Sequence, residues 1–152
     1  MSTLSIEMLT PQRVSELWPS LEPMFQAACD ANPIAKDELS AGDIFVFTQL
    51  DLAAVFAGFE DGELACMIAL QFNDTNGHKG ADVIAMAGRS LFKFKTAYWD
   101  VILDWLRANE VEFVDAYAPE RLARLYKQKF GFNKSCMYVR MNLKESSHEQ
   151  VC

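Results

Sequence analysis

Apolar residues are grouped most regularly between Ala81 and Phe132, where strand-like and helix-like patterns alternate. Ala81 to Ala87 is a short apolar run that ends at Gly88, which is typical of a buried strand. Thr96 has a side chain that can cap a helix, and apolar residues recur at helical spacing from there to Asn109. The pattern therefore predicts a strand, a polar loop and an amphipathic helix.

The same stretch then repeats the order of strand and helix. Val111 to Tyr117 is a β-branched apolar run, and a second helical face follows it and stops at Gly131. That face consists of Leu122, Leu125, Tyr126 and Phe130. A strand, a crossover helix and another strand form a right-handed parallel unit. The loop that opens its helix is where such units usually hold an anion, because free backbone N–H groups point there.

The residue pattern at the start of the chain predicts one strand followed by helical segments. Ser5 to Leu9 alternates as a strand does, and Thr10 followed by Pro11 is a good helix start. Pro19 is expected to end or kink that helix, and Ser20 offers a new cap. This segment is therefore either two short helices or one broken helix.

Apolar runs separated by a turn signal in the middle of the chain predict antiparallel strands. Asp37 to Ser40 is interpreted as a helical turn, and Ile44 to Phe47 as a strand. Leu52 to Phe59 and Glu63 to Phe72 are clearer strands, and Glu60 to Gly62 between them is a hairpin turn signal.

The remaining segments complete a single predicted domain over residues 1–143. Asn73 to Gly80 is interpreted as a polar loop, Cys136 to Leu143 as a half-exposed strand, and residues 144–152 as a loose polar tail. The fold class is α/β, with a mixed, mostly antiparallel sheet and flanking helices.

Charge and composition narrow the function. The 152 residues carry a net charge of −7, which argues against binding nucleic acid through a general basic surface but leaves room for a local basic patch. No apolar segment approaches the ~20 residues of a membrane span, and the first residues do not resemble a signal peptide. The four cysteines are far apart, which favours a reduced, cytoplasmic setting. They are Cys29, Cys66, Cys136 and Cys152.

Three segments resemble the Gcn5-related N-acetyltransferase (GNAT) family. VFAGFEDGELACMIALQF (55–72) is similar to the family's paired second and third strands, and VIAMAG (83–88) to its fourth strand. ARLYKQKFGF (123–132) resembles its closing helix. The chain has a looser likeness to GNAT-like internal virion proteins of short-tailed phages, whose acyltransferase motifs are eroded.

The resemblance implies a GNAT-like fold and a site for acetyl-CoA as substrate, with no metal. In the family the fourth strand splays from the parallel fifth strand, the pantetheine arm pairs with the fourth strand, and the pyrophosphate rests on the loop that opens the next helix. Carried over, the pairing backbone is Ile84, Ala85, Met86 and Ala87, and the phosphate loop runs from Gly88 to Thr96 with Arg89, Lys93 and Lys95 in it.

The phosphate loop departs from the family pattern. GRSLFKFKT has one glycine, and placing Ala97 at the final small position puts Lys95 where glycine is expected and Phe92 where Gln or Arg is expected. Bulky residues there hinder close backbone approach. Arg89, Lys93 and Lys95 either bind phosphate through their side chains or are solvated loop charges.

The catalytic residues implied by the resemblance are Tyr126 as general acid and Asp115 as general base. Tyr126 is also compatible with an ordinary core position, because Gly131 follows it one residue late; anchoring on Ala123 puts Lys127 at the Tyr position, and Glu120 replaces an Asn.

Asp115 lies inside an apolar run, so it is either buried with a raised pKa, or exposed at a strand end, or paired with Arg121 or Arg124. Asp82 and Glu63 are the other acidic residues near the predicted strands. His78 and His148 lack ligand spacing, so no metal site is predicted.

Two functions remain open at this point. The first is a GNAT-type acyltransferase that moves an acetyl group from acetyl-CoA to a small-molecule or protein amine. The second is a catalytically inactive GNAT-fold binding or structural protein, for example in a homo-oligomer or a virion assembly.

Overall fold

The computed structural model describes residues 2–32, 38–116, 120–133, 140, 141 and 143, with the backbone alone for 120–122. The elements in chain order are β1 (Leu4–Leu9), α1 (Pro11–Ala31), α2 (Ala41–Gln49), β2 (Ala53–Glu60), β3 (Glu63–Thr75), β4 (His78–Gly88), α3 (Leu91–Ala108), β5 (Phe113–Ala116) and α4 (Glu120–Phe130). The described strands form one sheet in the order β1-β2-β3-β4-β5. Neighbours are antiparallel except β4 and β5, which are parallel. The predicted mixed sheet is confirmed.

Some predicted features lie outside the described residues. They are the end of the fifth strand at Tyr117, most of the strand between Cys136 and Leu143, and the tail at 144–152.

Two apolar cores lie on opposite faces of the sheet, because successive strand residues point to opposite sides. On one face α1 and α2 bury Phe25 and Ile44 against Met67 of β3. On the other face α3 buries Ile102 and Leu106 together with Leu70 of β3. The central strands are therefore apolar on both sides, which explains their nearly continuous apolar sequence.

Helix α1 is a single helix, so the alternative of two short helices, with an end at Pro19 and a new start at Ser20, is wrong. Thr10 caps it as predicted, because its Oγ1 accepts a hydrogen bond of 3.1 Å from the Arg13 N–H. Pro19 and Pro23 both lie on the exposed side of the helix, where a proline ring displaces no core contact. Packing of the buried side against the sheet outweighs the lost backbone hydrogen bonds.

The strand predicted at Ile44 to Phe47 is also wrong, because these residues belong to α2. Ser40 and Asp43 form a capping box: the Asp43 N–H donates to Ser40 Oγ at 3.2 Å, and the Ser40 N–H donates to Asp43 Oδ2 at 2.9 Å. Ala41, Ile44 and Thr48 are buried at helical spacing. The local cap decides the conformation of this short apolar run, and β-propensity does not.

The predicted loop at Asn73 to Gly80 is instead the tip of a long hairpin. Strand β3 continues to Thr75 and β4 begins at His78, so only two residues connect them. Asn76 and Gly77 both have positive φ, at 53° and 82°, which is the conformation of the tight turns that match strand twist. The Asn-Gly pair was the sequence signal for this turn, and the polar residues around it obscured it.

Helix α3 begins at Leu91, five residues before the predicted cap at Thr96. Its N-cap is Ser90, in the left-handed conformation with φ of 63° and without a side-chain cap hydrogen bond. The early start is favoured by Phe94, which is buried against Ala65 and Cys66 of β3. The helix ends at Asn109 as predicted. The expected nine-residue loop is therefore reduced to a short turn after Gly88.

Candidate functional site

The described part of β5 pairs with the first half of β4. Gly80 to Val83 lie opposite Phe113 to Ala116, where the described part of β5 ends. On the other side of β4, Val83 pairs with Leu70 and Ala85 pairs with Ala69, so Ile84 has no partner on β3. This is a β-bulge, which bends the strand that carries the extra residue. The bend thus falls directly after the last described pair of β4 with β5.

The turn between β4 and α3 is close to the β2–β3 hairpin. Gly88 has φ of +115°, and a Cβ placed there would be 2.3 Å from the Ala65 backbone oxygen. The Arg89 N–H donates to that same oxygen at 2.8 Å. Only glycine fits this approach, as the strand-ending role of Gly88 suggested. The first N–H groups of α3 point out from this turn without a side-chain cap.

Two of the predicted phosphate-loop cations are held by a carboxylate that sequence reasoning assigned only to a turn. Lys93 Nζ lies 3.1 Å from Glu60 Oε2, and Arg89 Nε lies 3.7 Å from Glu60 Oε1. Hydrogen bonding from Lys93, with smaller contributions from Ser2 and Ser90, holds the pKa of Glu60 below its usual range. No local sequence signal marks Glu60 for this role, because its partners are about 30 residues further along the chain.

The other predicted loop residues lie inside α3. Lys95 is half-buried and borders a small apolar cavity of about 40 Å³ beneath the helix; no ion pair of Lys95 occurs among the described residues. Thr96 is in the second turn, and its hydroxyl donates to the Phe92 carbonyl at 2.9 Å. Its expected place in the phosphate loop is therefore wrong. Phe92 is exposed, and Lys129 Nζ of α4 lies 5.7 Å from the centre of its ring.

Tyr126 combines both features that the sequence left open. Its ring packs against Phe130 and Phe132, with centroid distances of 5.9 and 5.7 Å, as a core residue does. Its hydroxyl has no hydrogen-bond partner within the described parts of the chain, so it is also available to a ligand. Burial raises the pKa of the Tyr126 phenol. The phenol therefore stays protonated at neutral pH.

Asp115 is exposed, so of the alternatives left open for it the buried one is wrong. It lies beside Asp82, which is its register partner on β4. Asp82 is half-buried and accepts a hydrogen bond of 3.0 Å from the Asn73 side-chain amide. Desolvation raises the pKa of Asp82, and the negative charge of Asp115 raises it further. Asp82, rather than Asp115, is therefore the partly buried carboxylate with a raised pKa on these two strands.

The described residues form neither a cluster of metal ligands nor a membrane-spanning helix. Within the ranges given above, no group of three or more His, Cys, Asp or Glu side chains is arranged around a common metal position. No helix in those ranges has the length and hydropathy needed to cross a bilayer.

No family model matches the sequence, and no curated protein matches it. Solved structures do match. An aminoglycoside acetyltransferase from an uncultured soil metagenomic sample has a TM-score of 0.68 at 15% identity, covering 93% of this chain and 99% of its own. A ribosomal-protein-alanine N-acetyltransferase from Brucella melitensis biovar Abortus 2308 has a TM-score of 0.63 at 13% identity, covering 95% and 100%.

A predicted acetyltransferase from Clostridium acetobutylicum, solved with acetyl-CoA, has a TM-score of 0.65 at 14% identity and covers 96% of this chain and 100% of its own. All three likenesses extend over nearly the whole chain. At these identities they establish the architecture. The chain therefore has the fold of the Gcn5-related N-acetyltransferases.

Proposed function

We propose that this protein is an N-acetyltransferase that moves an acetyl group from acetyl-CoA to an amine. The observation that carries the proposal is the β-bulge at Ile84, which bends β4 shortly before the start of α3. The uncapped start of α3 lies at the end of the same strand. An extended arm that pairs with β4 would thus lead its phosphates to a helix N-terminus. The shared fold supports this by analogy.

In this proposal the backbone of Ile84, Ala85, Met86 and Ala87 hydrogen-bonds the pantetheine arm as an added strand does. The pyrophosphate then lies beside the first N–H groups of α3, which have no side-chain cap. Arg89, Lys93 and Lys95 supply positive charge near it. Lys129 of α4, above the exposed ring of Phe92, adds a further cation that the sequence alone did not indicate.

The proposed general base is Asp82, with Asp115 as the residue that tunes it. Attack of an amine nitrogen on the acetyl carbonyl requires that the amine loses a proton. Asp82 would take that proton, and its raised pKa brings it closer to the operating pH than an exposed carboxylate. Asp115 keeps that pKa raised through its negative charge, so Asp115 acts through Asp82.

The proposed general acid is Tyr126. When the carbon–sulfur bond of the thioester breaks, the electron pair stays on the CoA sulfur, and the Tyr126 phenol would donate its proton to that thiolate. The Tyr126 phenol is protonated at neutral pH, and its hydroxyl has no hydrogen-bond partner among the described residues, which is compatible with this role. Replacing Tyr126 by Phe keeps the ring packing and removes the proton, so it separates catalysis from packing.

The proposed acceptor is a primary amine on a small molecule or a protein. The named activities of two structural neighbours, on aminoglycosides and on a ribosomal-protein alanine, both concern amines. In this chain the paired carboxylates of Asp82 and Asp115 would attract an ammonium group toward β4.

The decisive experiment is calorimetric titration with acetyl-CoA. The wild-type protein is expected to bind, and the double change Lys93→Glu with Lys95→Glu is expected to weaken binding by about tenfold or more, because two positive charges become negative. Arg107→Glu is the matched control: it is the same kind of charge reversal at the far end of α3, where Arg107 pairs with Asp104.

Two results would contradict the proposal. One is no heat of binding for the wild-type protein at up to about 1 mM acetyl-CoA, the upper end of ordinary substrate affinities. The other is an equal loss of binding in the Arg107 control, since the effect would then not be local to the start of α3.

A further inference from the structure

Glu60 occupies an unusual position for a carboxylate at the end of a hairpin strand. It is the last residue of β2, yet its side chain reaches across to the turn that opens α3. Ser90 Oγ donates to its Oε1 at 3.3 Å, in addition to the contacts with Arg89 and Lys93. The Glu60 side chain is only 13% exposed, whereas those of Arg89 and Lys93 are 53% and 59% exposed. Each of the two cations is thus exposed to solvent on one side and contacts the Glu60 carboxylate on the other.

A carboxylate in this place reduces the positive charge at the start of α3. Two of the cations proposed to contact the phosphates, Arg89 and Lys93, already have a negative partner within 4 Å. A bound phosphate must therefore share those cations with Glu60 or displace it, and it experiences the charge of Glu60 at short range. By contrast Glu63, which also approaches Arg89, is 3.9 Å away and 83% exposed, so solvent screens it.

We propose that Glu60 is an internal counter-ion of the anion site at the start of α3: it holds Arg89 and Lys93 in the free protein and limits the affinity for the phosphates of CoA. This inference rests on the proposed function, because it takes the CoA phosphates as the anion. It adds an affinity-setting residue to that site, and it gives Glu60 a role opposite to that of the cations it contacts.

The test is the substitution Glu60→Gln, which keeps the size of the side chain and an oxygen for Ser90 but removes the charge. Binding of CoA, measured by calorimetry, is expected to become roughly three- to tenfold tighter. Glu63→Gln is the matched control on the same hairpin and is expected to leave the affinity within about twofold. Glu60→Asp is a second variant; its shorter side chain withdraws the carboxylate from Lys93, and the same direction is expected.

A double-mutant cycle separates this charge effect from a general disturbance of the turn. In a Lys93→Met background one of the two held cations is absent, so Glu60→Gln is expected to increase CoA affinity by a smaller factor than in the wild-type background. A purely structural role of Glu60 predicts the same factor in both backgrounds.

The outcomes separate the two proposals. If wild-type protein binds CoA and Glu60→Gln binds it equally or more weakly, the counter-ion inference is overturned and the acetyltransferase proposal stands. If neither protein binds CoA, both proposals fail. If only Glu60→Gln binds, the counter-ion inference is supported and the acetyltransferase proposal fails for the wild-type protein.

Discussion

At the scale of single residues, Gly88 is the position where the site depends most on one side chain being absent. Its φ of +115° is unfavourable for other residues, and a Cβ would lie 2.3 Å from the Ala65 oxygen and 2.5 Å from the Cys66 Cα. Both neighbours are backbone atoms, so they cannot move aside cheaply. Gly88→Ala is expected to lower the free energy of unfolding by about 3 kcal/mol or more, measured by urea denaturation.

Gly62→Ala is the control for this prediction. Gly62 also has positive φ, at +81°, but no atom lies within 4 Å of the position of its Cβ. It carries the backbone strain without the steric overlap, so a cost of about 1 kcal/mol is expected. Equal losses for the two variants would mean that the contact of Gly88 with β3 is not the cause.

The roles of single residues were predictable from the sequence only where they depend on local conformation. Gly88 was identified as the end of a strand because glycine has a local conformational meaning. Glu60 was assigned only to a turn, because its role depends on a contact with residues about 30 positions away. A raised pKa was one of the alternatives for Asp115, and the neighbouring Asp82 is the residue whose pKa is raised. Burial of a particular strand residue depends on what covers its face, which periodicity does not specify.

At the scale of elements, α1 shows that two prolines do not break a helix when the helix is otherwise well packed. Each proline removes one backbone hydrogen bond, and each is exposed. Pro19→Ala is therefore expected to restore a hydrogen bond without losing core contacts, and to raise the free energy of unfolding by about 1–2 kcal/mol. Urea denaturation followed by circular dichroism measures this.

Pro11→Ala tests the same argument at the other end of the helix. Pro11 is the first residue of α1, where its missing N–H costs nothing and its fixed φ favours the helix. No stabilisation, or a small loss, is expected there. A gain at Pro11 as large as that at Pro19 would contradict the explanation by a lost hydrogen bond.

Elements were predicted well where a local signal and the packing agree. Strands β1, β2 and β3, the cap of α1 at Thr10 and the end of α3 at Asn109 belong to this group. Helix α2 was mistaken for a strand although its capping box was readable, since an apolar run of four residues fits either structure. The start of α3 was misplaced because Thr96 is a good cap that the protein does not use as one.

At the scale of the whole molecule, Asp82 links stability to pH. Its pKa in the folded protein is raised above the usual value of 3.8. The folded state therefore binds more protons than the unfolded state in the window just above that value, so stability falls as pH rises through the window. Asp82→Asn removes the penalty. The gain in free energy of unfolding of the variant over the wild type is expected to be larger at about pH 7 than at about pH 4. The difference between the two gains is expected to be less than about 1 kcal/mol, because Asp82 is half-exposed.

Asp115→Asn provides the comparison, measured by the same urea titrations at both pH values. It removes one cause of the raised pKa of Asp82 but leaves the desolvation, so a change in the same direction and smaller is expected. If Asp82→Asn gained more stability over the wild type at about pH 4 than at about pH 7, the pKa of Asp82 would not be raised in the folded protein.

The bulge at Ile84 changes which side chains of β4 lie on each face of the sheet. Ala81 and Val83 pack toward α3, and Met86 does so too, whereas Ile84 and Ala85 are consecutive and both pack toward α1. The extra residue thus shifts the alternation of side chains between the two faces by one position. A chain shortened by this one residue would keep every later side chain on its present face and lose the bend together with one apolar group. Alternation alone would then describe the shortened β4 correctly, and it would describe a straighter strand than the one this protein has.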